Sequence, residues 1–191
     1  KKVKYVHSIH ELNDTTLWVS TVGEGIVKII LNKNGITPTV KSATRIILDG
    51  GRLASNYFFT SFQENDSILW FGNRGYGAHR LNLETGKFTP YKFDNIVNSQ
   101  MTNDIFAIYK NENGYWFATS SGLLHFNQED SQHHNKVELL SKNTAHGILE
   151  DQQNNIWIST NQGLVRFNPK THTSQTYDRK NGLEVTEFSD G

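Results

Sequence analysis

Short runs of β-branched, aromatic and other apolar residues alternate with polar, turn-forming clusters along the whole chain. The apolar runs at residues 5–9, 57–62, 105–109 and 146–149 are each followed by a cluster rich in Asn, Asp, Gln, Glu or Gly. Such clusters favour hairpin turns, because Asn, Asp and Gly tolerate positive φ. No stretch keeps the 3.6-residue period of an amphipathic helix, so the pattern predicts an all-β protein.

A tryptophan marks the same place in each of four repeats. Each tryptophan lies within a short apolar strand, and successive tryptophans are 52, 46 and 41 residues apart. A glycine follows each one within seven residues and opens another apolar strand. This spacing is close to the repeat length of propeller blades. The repeat signature consists of Trp18, Trp70, Trp116 and Trp157 with Gly25, Gly77, Gly122 and Gly163.

A fourth strand closes each repeat, most clearly at residues 88–93 and 174–178. Pro90 lies in the first of these and suits an edge strand, because proline cannot donate a backbone hydrogen bond to a neighbouring strand. Four antiparallel strands per repeat make one β-propeller blade. We therefore expect one propeller domain over residues 1–191, with blades at about 1–50, 51–100, 101–141 and 142–180 and the start of the next element at 181–191.

The amino-acid composition of the chain argues against several classes of function. The 19 Lys and Arg residues balance the 19 Asp and Glu residues, so no overall field attracts nucleic acid or an acidic membrane surface. No segment reaches the roughly 18 consecutive apolar residues that a membrane helix needs. The lack of cysteine excludes disulfides and thiolate zinc sites. The first five residues contain no apolar run, so we expect no signal peptide within this sequence.

The sequence offers few candidates for catalytic, metal-binding or ligand-binding residues. The tryptophans could stack on a sugar, but they share one repeat position among apolar neighbours and are better interpreted as packing between blades. The eight histidines show no three-ligand spacing, and His79 and His125 are assigned to one shared position of the third strand. No hydrolase, phosphate-loop or zinc-protease motif occurs, so we predict no catalytic residue, metal or cofactor. A carboxylate pair assembled by the fold, as glycosidases use, stays open.

Any ligand is expected at one rim, where the loop entering the first strand of a blade meets the loop between its second and third strands. Arg74 and Tyr76 stand out, because their loop departs from the repeat. An arginine can hold a carboxylate or sulfate through two hydrogen bonds, and a tyrosine can stack on a sugar ring. An ordinary solvated or capping role is the alternative for every candidate. The candidates are Arg52, Asn56, Asn103, Asp104 and His146 in the entering loops, and Asn73, Arg74, Tyr76, Asn161 and Gln162 in the other loops.

Residues 151–168 closely resemble the two-component regulator propeller repeat, and residues 111–127 resemble it nearly as well. Asn154 stands where that repeat usually has glycine, and Ser159-Thr160 stands where it has Gly-Thr. The first two repeats depart further, with one extra residue before Gly77 and a longer segment at 36–52. The resemblance implies part of a larger propeller of about seven blades, and a closed four-bladed ring is the alternative.

The resemblance also implies a function. Repeats of this family build the periplasmic sensor of hybrid two-component proteins, common among Bacteroidetes, that detect products of polysaccharide breakdown. It therefore implies an oligosaccharide ligand and signalling to a histidine kinase elsewhere in the polypeptide. The other expected partners are further blades and domains of the sensor and, because exposed blade faces are apolar, a second copy in a homodimer.

Two other interpretations stay open from the sequence. Propellers often serve as protein-interaction scaffolds without a small ligand. A propeller lyase of the streptogramin-inactivating kind, or a propeller hydrolase, would need an acid/base site, and no matching motif is present.

Overall fold

In the part of the chain that the structure describes, the regular secondary structure is almost entirely β-strand. The computed structural model describes residues 5–48, 55–94, 102–127, 143–185 and 187–189. A turn of 3-10 helix, Arg179–Asn181, follows the last described strand. The strands are β1 (Val6–Asn13), β2 (Thr16–Thr21), β3 (Ile26–Asn32), β4 (Thr39–Ile46), β5 (Phe58–Asn65), β6 (Ile68–Asn73), β7 (Ala78–Asn82), β8 (Phe88–Tyr91), β9 (Ile105–Asn111), β10 (Gly114–Thr119), β11 (Gly122–Phe126), β12 (Ala145–Glu150), β13 (Ile156–Thr160), β14 (Gly163–Asn168) and β15 (Thr173–Tyr177).

Each repeat folds into its own antiparallel sheet. The strand orders are β1-β2-β3-β4, β5-β6-β7-β8, β9-β10-β11 and β12-β13-β14-β15, which we call the first to fourth sheets. The strand expected to close the third sheet falls within 128–142, outside the described residues. Consecutive strands pair throughout, which is the meander of a propeller blade. The prediction of an all-β fold with one antiparallel sheet per repeat is confirmed.

The chain divides into two compact units. The first, Lys1–Lys92, holds the first and second sheets, and the second, Phe93–Gly191, holds the third and fourth. In the first unit, Trp18 packs against Phe71 of the second sheet with ring centroids 5.7 Å apart. Phe58 belongs to the same buried cluster. Burial of each such side chain contributes about 1.5–3 kcal/mol.

The second unit repeats this arrangement. Trp116 of the third sheet packs against Phe167 of the fourth sheet, with ring centroids 5.9 Å apart. Leu123 and Ile158 belong to the same cluster, and both are almost fully buried. In each unit, therefore, the repeat tryptophan of one sheet is covered by an aromatic ring of the next.

The strand register places one third-strand residue opposite each tryptophan. His125 pairs with Trp116, whereas His79 lies opposite Phe71, one rung away from the tryptophan of its own sheet. The prediction that His79 and His125 share a repeat position is therefore wrong. Arg80 and His125 are each the third residue after their signature glycine, whereas His79 is only the second after Gly77, so it lies one position out of register with His125. The pairs are Trp18 with Lys28, Trp70 with Arg80, Trp116 with His125 and Trp157 with Arg166.

The first strands of neighbouring sheets lie side by side, β1 against β5 and β9 against β12. A hydrogen bond crosses each of these boundaries at the same repeat position. His10 Nε2 lies 3.0 Å from Gln63 Oε1, and the Tyr109 hydroxyl donates to Glu150 over 2.6 Å. Burial and the adjacent Glu150 carboxylate raise the pKa of Tyr109 to about 12, so the hydroxyl keeps the proton that it donates.

The fourth sheet presents an open apolar face. Leu149 is 66% exposed there, and Trp157 lies opposite it in the strand pairing. The prediction of an apolar exposed blade face agrees with this sheet, and the use of such a face in a homodimer stays a prediction. An open depression of about 370 Å³ on this sheet is lined by Gly147, Ile148, Leu149, Trp157, Ile158, Ser159 and Leu164.

Candidate functional site

The predicted rim lies where the first strand of each sheet begins and the second strand ends. Phe58 at the start of β5 pairs with Asn73 at the end of β6, so the loops on either side meet there. The fourth sheet has the same geometry, since Ala145 pairs with Thr160. Arg52, one of the predicted residues, lies outside the described residues.

Asn73 holds these two loops together and does not face a ligand. It is the last residue of β6 rather than a loop residue, and it is fully buried. Its Nδ2 donates to the carbonyls of Ser55 (2.8 Å) and Tyr57 (2.9 Å), while its Oδ1 accepts from the Ser55 backbone N–H (3.2 Å) and hydroxyl (3.0 Å). The whole hydrogen-bonding capacity of the amide is used within the protein.

Asn103 and Asn56 also serve the local structure. Asn103 is 2% exposed, and its amide accepts from the backbone N–H of Phe93 (2.9 Å) and donates to Asp94 (3.0 Å). The backbone carbonyl of Asn56 accepts from the N–H groups of Gly23 (2.9 Å) and Gly25 (3.0 Å). Asn56 thereby joins the turn of the first sheet to the start of the second.

Arg74 is exposed and Tyr76 is partly exposed, and each lies against an oppositely suited side chain. The Arg74 guanidinium lies 5.6 Å from the ring centroid of Tyr57, which is 38% exposed. The Lys92 ammonium lies 4.7 Å from the ring centroid of Tyr76. The sequence interpretation missed Tyr57 and Lys92 because both adjoin strands, although their aromatic and cationic character was the available signal. We call Tyr57, Arg74, Tyr76 and Lys92 the rim cluster.

The rim cluster can attract an anion and offer a flat face to a sugar. Cation–π contacts of this kind contribute about 0.5–1 kcal/mol at exposed sites, enough to orient the side chains. The guanidinium retains its fork of donors for a carboxylate or sulfate.

Asp104 and His146 lie in the second unit. Asp104 accepts a hydrogen bond of 3.0 Å from the Ser120 hydroxyl, which joins the entering loop to the loop after β10. His146 was expected in a loop, but it is the second residue of β12, and its ring lies 5.3 Å from that of Phe106. The strand begins earlier than expected because Ala145 is fully buried and pairs with Thr160.

Asn161 and Gln162 form the exposed tip of the loop between β13 and β14. The Asn161 N–H donates to the Thr144 carbonyl (3.3 Å), and the Gln162 N–H donates to the Thr160 hydroxyl (3.1 Å). The Phe188 N–H donates to the Thr160 carbonyl over 3.3 Å, so the C-terminal segment returns to this end of the fourth sheet.

The backbone conformation at the signature positions requires glycine. Gly25 has φ +80°, and a Cβ there would lie 2.4 Å from the Ile46 carbonyl oxygen. Gly163 has φ +114°, and a Cβ there would lie 2.3 Å from the Tyr177 carbonyl oxygen. An alanine at either position would therefore clash with the backbone of the fourth strand. Gly77 and Gly122 also have positive φ.

Three of the four signature tryptophans donate their indole N–H to a side chain near the end of the first strand. Trp157 donates to Asp151 (2.9 Å), and Trp70 donates to Glu64 (2.7 Å). Trp116 donates to Asn111 over 3.0 Å. These three tryptophans are therefore oriented by their own repeats, which fits the interpretation of the tryptophans as a packing signature.

The Asp151 carboxylate accepts hydrogen bonds from several donors besides Trp157. Burial opposes its ionisation, but hydrogen bonds from the Asn155 backbone and side chain, the Trp157 indole and the Gln153 backbone outweigh that effect and lower the pKa of Asp151 to about 2. The carboxylate is consequently charged at neutral pH and serves the hairpin between β12 and β13. Arg166 Nε lies 3.6 Å from it.

Metal ligation finds no support in the part of the chain that the structure describes. There, no three His, Cys, Asp or Glu side chains group closely enough to hold an ion. The hydrogen-bonding roles of Asp104 and Asp151 account for two of the carboxylates near the sheet ends.

A family model matches part of the chain. Residues 139–162 match the two-component regulator propeller. The segment covers the hairpin of the fourth sheet, with Asp151 and Trp157, on which the sequence resemblance rests. No curated protein matches the chain. No helix within the described ranges is long and apolar enough to cross a membrane.

Solved structures with a similar fold come from several sources. The extracellular domain of the hybrid two-component system BT4673 from B. thetaiotaomicron is 16% identical, with a TM-score of 0.70 over 90% of this chain and 25% of that one. The corresponding domain of BT3049 is 19% identical, with a TM-score of 0.51 over 92% of this chain and 30% of that one. A streptogramin B lyase is 15% identical, with a TM-score of 0.64 over 91% of this chain and 54% of that one.

These likenesses show the fold, and the chain spans about a quarter of the length of the BT4673 domain. The predicted β-propeller architecture is confirmed, while the total of about seven blades stays a prediction. The chain is thus a β-propeller segment that carries a repeat of the two-component regulator propeller family, as the resemblance in the sequence indicated.

Proposed function

We propose that the chain is the ligand-sensing part of an extracytoplasmic propeller in a hybrid two-component sensor. In this proposal it binds an oligosaccharide released from a polysaccharide and signals to a histidine kinase. The observation that carries the proposal is the family match at residues 139–162, in a chain that has the fold of such extracellular domains.

The rim cluster suggests the chemistry of the ligand. Arg74 and Lys92 are exposed cations, each set against a tyrosine ring. An oligosaccharide with carboxylate or sulfate groups would complement both features, because the cations pair with the anionic groups while the rings contact the sugar faces. The proposed ligand is therefore an anionic oligosaccharide, such as a uronic-acid or sulfated fragment.

Calorimetric titration of the chain tests this proposal. The probes are a neutral xylohexaose, an oligogalacturonate hexamer and a chondroitin sulfate hexasaccharide. We expect an anionic probe to bind, with an affinity that falls as salt rises, because exposed charges are screened. The variant Arg74→Ala should weaken binding by about tenfold, the effect of losing roughly 1.4 kcal/mol. The control Lys170→Ala, which removes an exposed cation from the turn after β14, should not.

Other outcomes would favour the other functions. If none of the three glycans binds, and a protein partner is recovered with the chain as bait, the interaction scaffold is favoured. Product formation from a bound glycan would instead indicate a lyase or hydrolase, the class to which one structural neighbour belongs. Kinase signalling needs a separate measurement, namely ligand-dependent phosphorylation in the polypeptide that the gene encodes.

A further inference from the structure

The first strand of every sheet carries a β-bulge at the same repeat position. In β5 the pairing passes from Phe58 to Thr60 and skips Phe59. In β12 it passes from Ala145 to Gly147 and skips His146. The bulged residues are His7, Phe59, Phe106 and His146, so each carries a flat aromatic or imidazole ring.

The bulges separate these rings from the core. In the second, third and fourth sheets the preceding residue is the core residue: Phe58, Ile105 and Ala145 are each at most 1% exposed. A bulge inserts one extra residue and re-aims its side chain. The bulged rings are accordingly only half-buried, at the free edge of the first strand.

The rings meet in pairs because the first strands of neighbouring sheets lie side by side. In the first unit, His7 and Phe59 make an edge-to-face contact with centroids 5.1 Å apart. In the second unit, Phe106 and His146 lie 5.3 Å apart at an interplanar angle of 34°. Each unit thus presents one imidazole and one phenyl ring at equivalent positions.

We propose that, within each unit, the imidazole–phenyl pair is a stacking platform for one pyranose ring of an oligosaccharide bound to that unit. This inference rests on the proposed function and names the residues that contact the sugar. Each pair lies at the same end of the first strand as the rim loops: Phe59 follows Tyr57 of the rim cluster by two residues, and Phe106 follows Asp104 by two.

The chemistry of the pairs suits a sugar. The C–H bonds of a pyranose face carry partial positive charge and lie favourably against the negative face of a phenyl ring. An imidazole ring also carries nitrogen atoms of a kind that can exchange hydrogen bonds with sugar hydroxyls. Sugar sites combine an apolar face with a few polar groups in this way.

Titration of the same three hexasaccharides into ring-deletion variants tests the inference. We expect Phe106→Ala to weaken binding by about tenfold, which corresponds to roughly 1.4 kcal/mol, within the range of a single aromatic contact. Phe106→Tyr, which keeps the ring, should bind like the wild type. Leu149→Ala is the matched control, because it removes an exposed apolar side chain of β12 outside the pair.

A second variant separates stacking from stability. His146→Phe keeps a ring but removes the polar nitrogens, so we expect intermediate binding, whereas His146→Ala should lose about as much as Phe106→Ala. The melting temperature of each unliganded variant shows whether it folds. If folded Phe106→Ala and His146→Ala bind a glycan within twofold of the wild type, the platform is wrong and the sensor proposal stands. If no glycan binds the wild type, both proposals are wrong.

Discussion

The repeat tryptophans of the first and fourth sheets differ in burial and in the hydrogen bonding of the indole N–H. Trp18 is 3% exposed and is covered by Phe71 of the next sheet, yet its indole N–H has no hydrogen-bond partner among the described residues. Trp157 is partly exposed on an open face, and its N–H is bound by Asp151. The residue at the Asp151 position of the first sheet is Leu12, six residues before Trp18.

This difference shows that two separate contributions stabilise the position of the repeat tryptophan. One is burial by the following sheet, which depends on tertiary packing. The other is an acceptor near the end of the first strand, which is local to the repeat. A cation across the strand pairing accompanies both tryptophans. In the first sheet Lys28 lies 5.5 Å from the Trp18 ring, and in the fourth Arg166 lies 6.0 Å from the Trp157 ring. The first sheet has the burial without the acceptor, and the fourth sheet has the acceptor with only partial burial.

The largest expected effect comes from removing the two tryptophans in turn. Trp18→Ala should lower the free energy of unfolding by about 3–5 kcal/mol, because it leaves a cavity against Phe71. Trp157→Ala should cost clearly less, because its ring is already partly in solvent. Urea denaturation of both variants measures the difference, and equal losses would contradict the view that Trp18 is more stabilised by burial than Trp157.

A smaller effect is expected when the acceptors are exchanged between sheets. Glu64→Leu gives the second sheet the residue that the first has, and it should cost about 1–3 kcal/mol, because the buried Trp70 N–H loses its acceptor. Leu12→Glu makes the reverse change and should cost less, since a new acceptor for Trp18 offsets the lost packing of Leu12. Thermal denaturation ranks the two variants; the opposite order would show that the local acceptor is unimportant.

The smallest effect concerns acid stability in the fourth sheet. The pKa of Asp151 is lowered in the folded protein to about 2 from its ordinary value near 4, so its contribution to stability is present above about pH 4 and is lost as the pH falls towards 2. Asp151→Asn should abolish this part of the pH dependence while keeping a side-chain acceptor for Trp157. Unfolding curves between pH 2 and 5 check it; an unchanged pH profile would mean that other carboxylates dominate.

The rim shows how far residue type could predict a site. Asn73 and Arg74 are neighbours in the sequence and were both candidates, yet one is a buried hydrogen-bonding hub and the other is exposed over Tyr57. An asparagine fits a ligand site or a loop equally well by composition. Only the positions of the Ser55 and Tyr57 carbonyls decide that Asn73 is used internally.

The sequence by itself determined the all-β fold, the number of repeats and the place of each tryptophan and glycine, because strand periodicity and turn chemistry are local properties of the chain. Tertiary structure alone decided which tryptophan is covered, and that His7, Phe59, Phe106 and His146 meet in pairs. The packing of one sheet on another joins residues that are about one repeat apart in the chain. No local pattern contains that information.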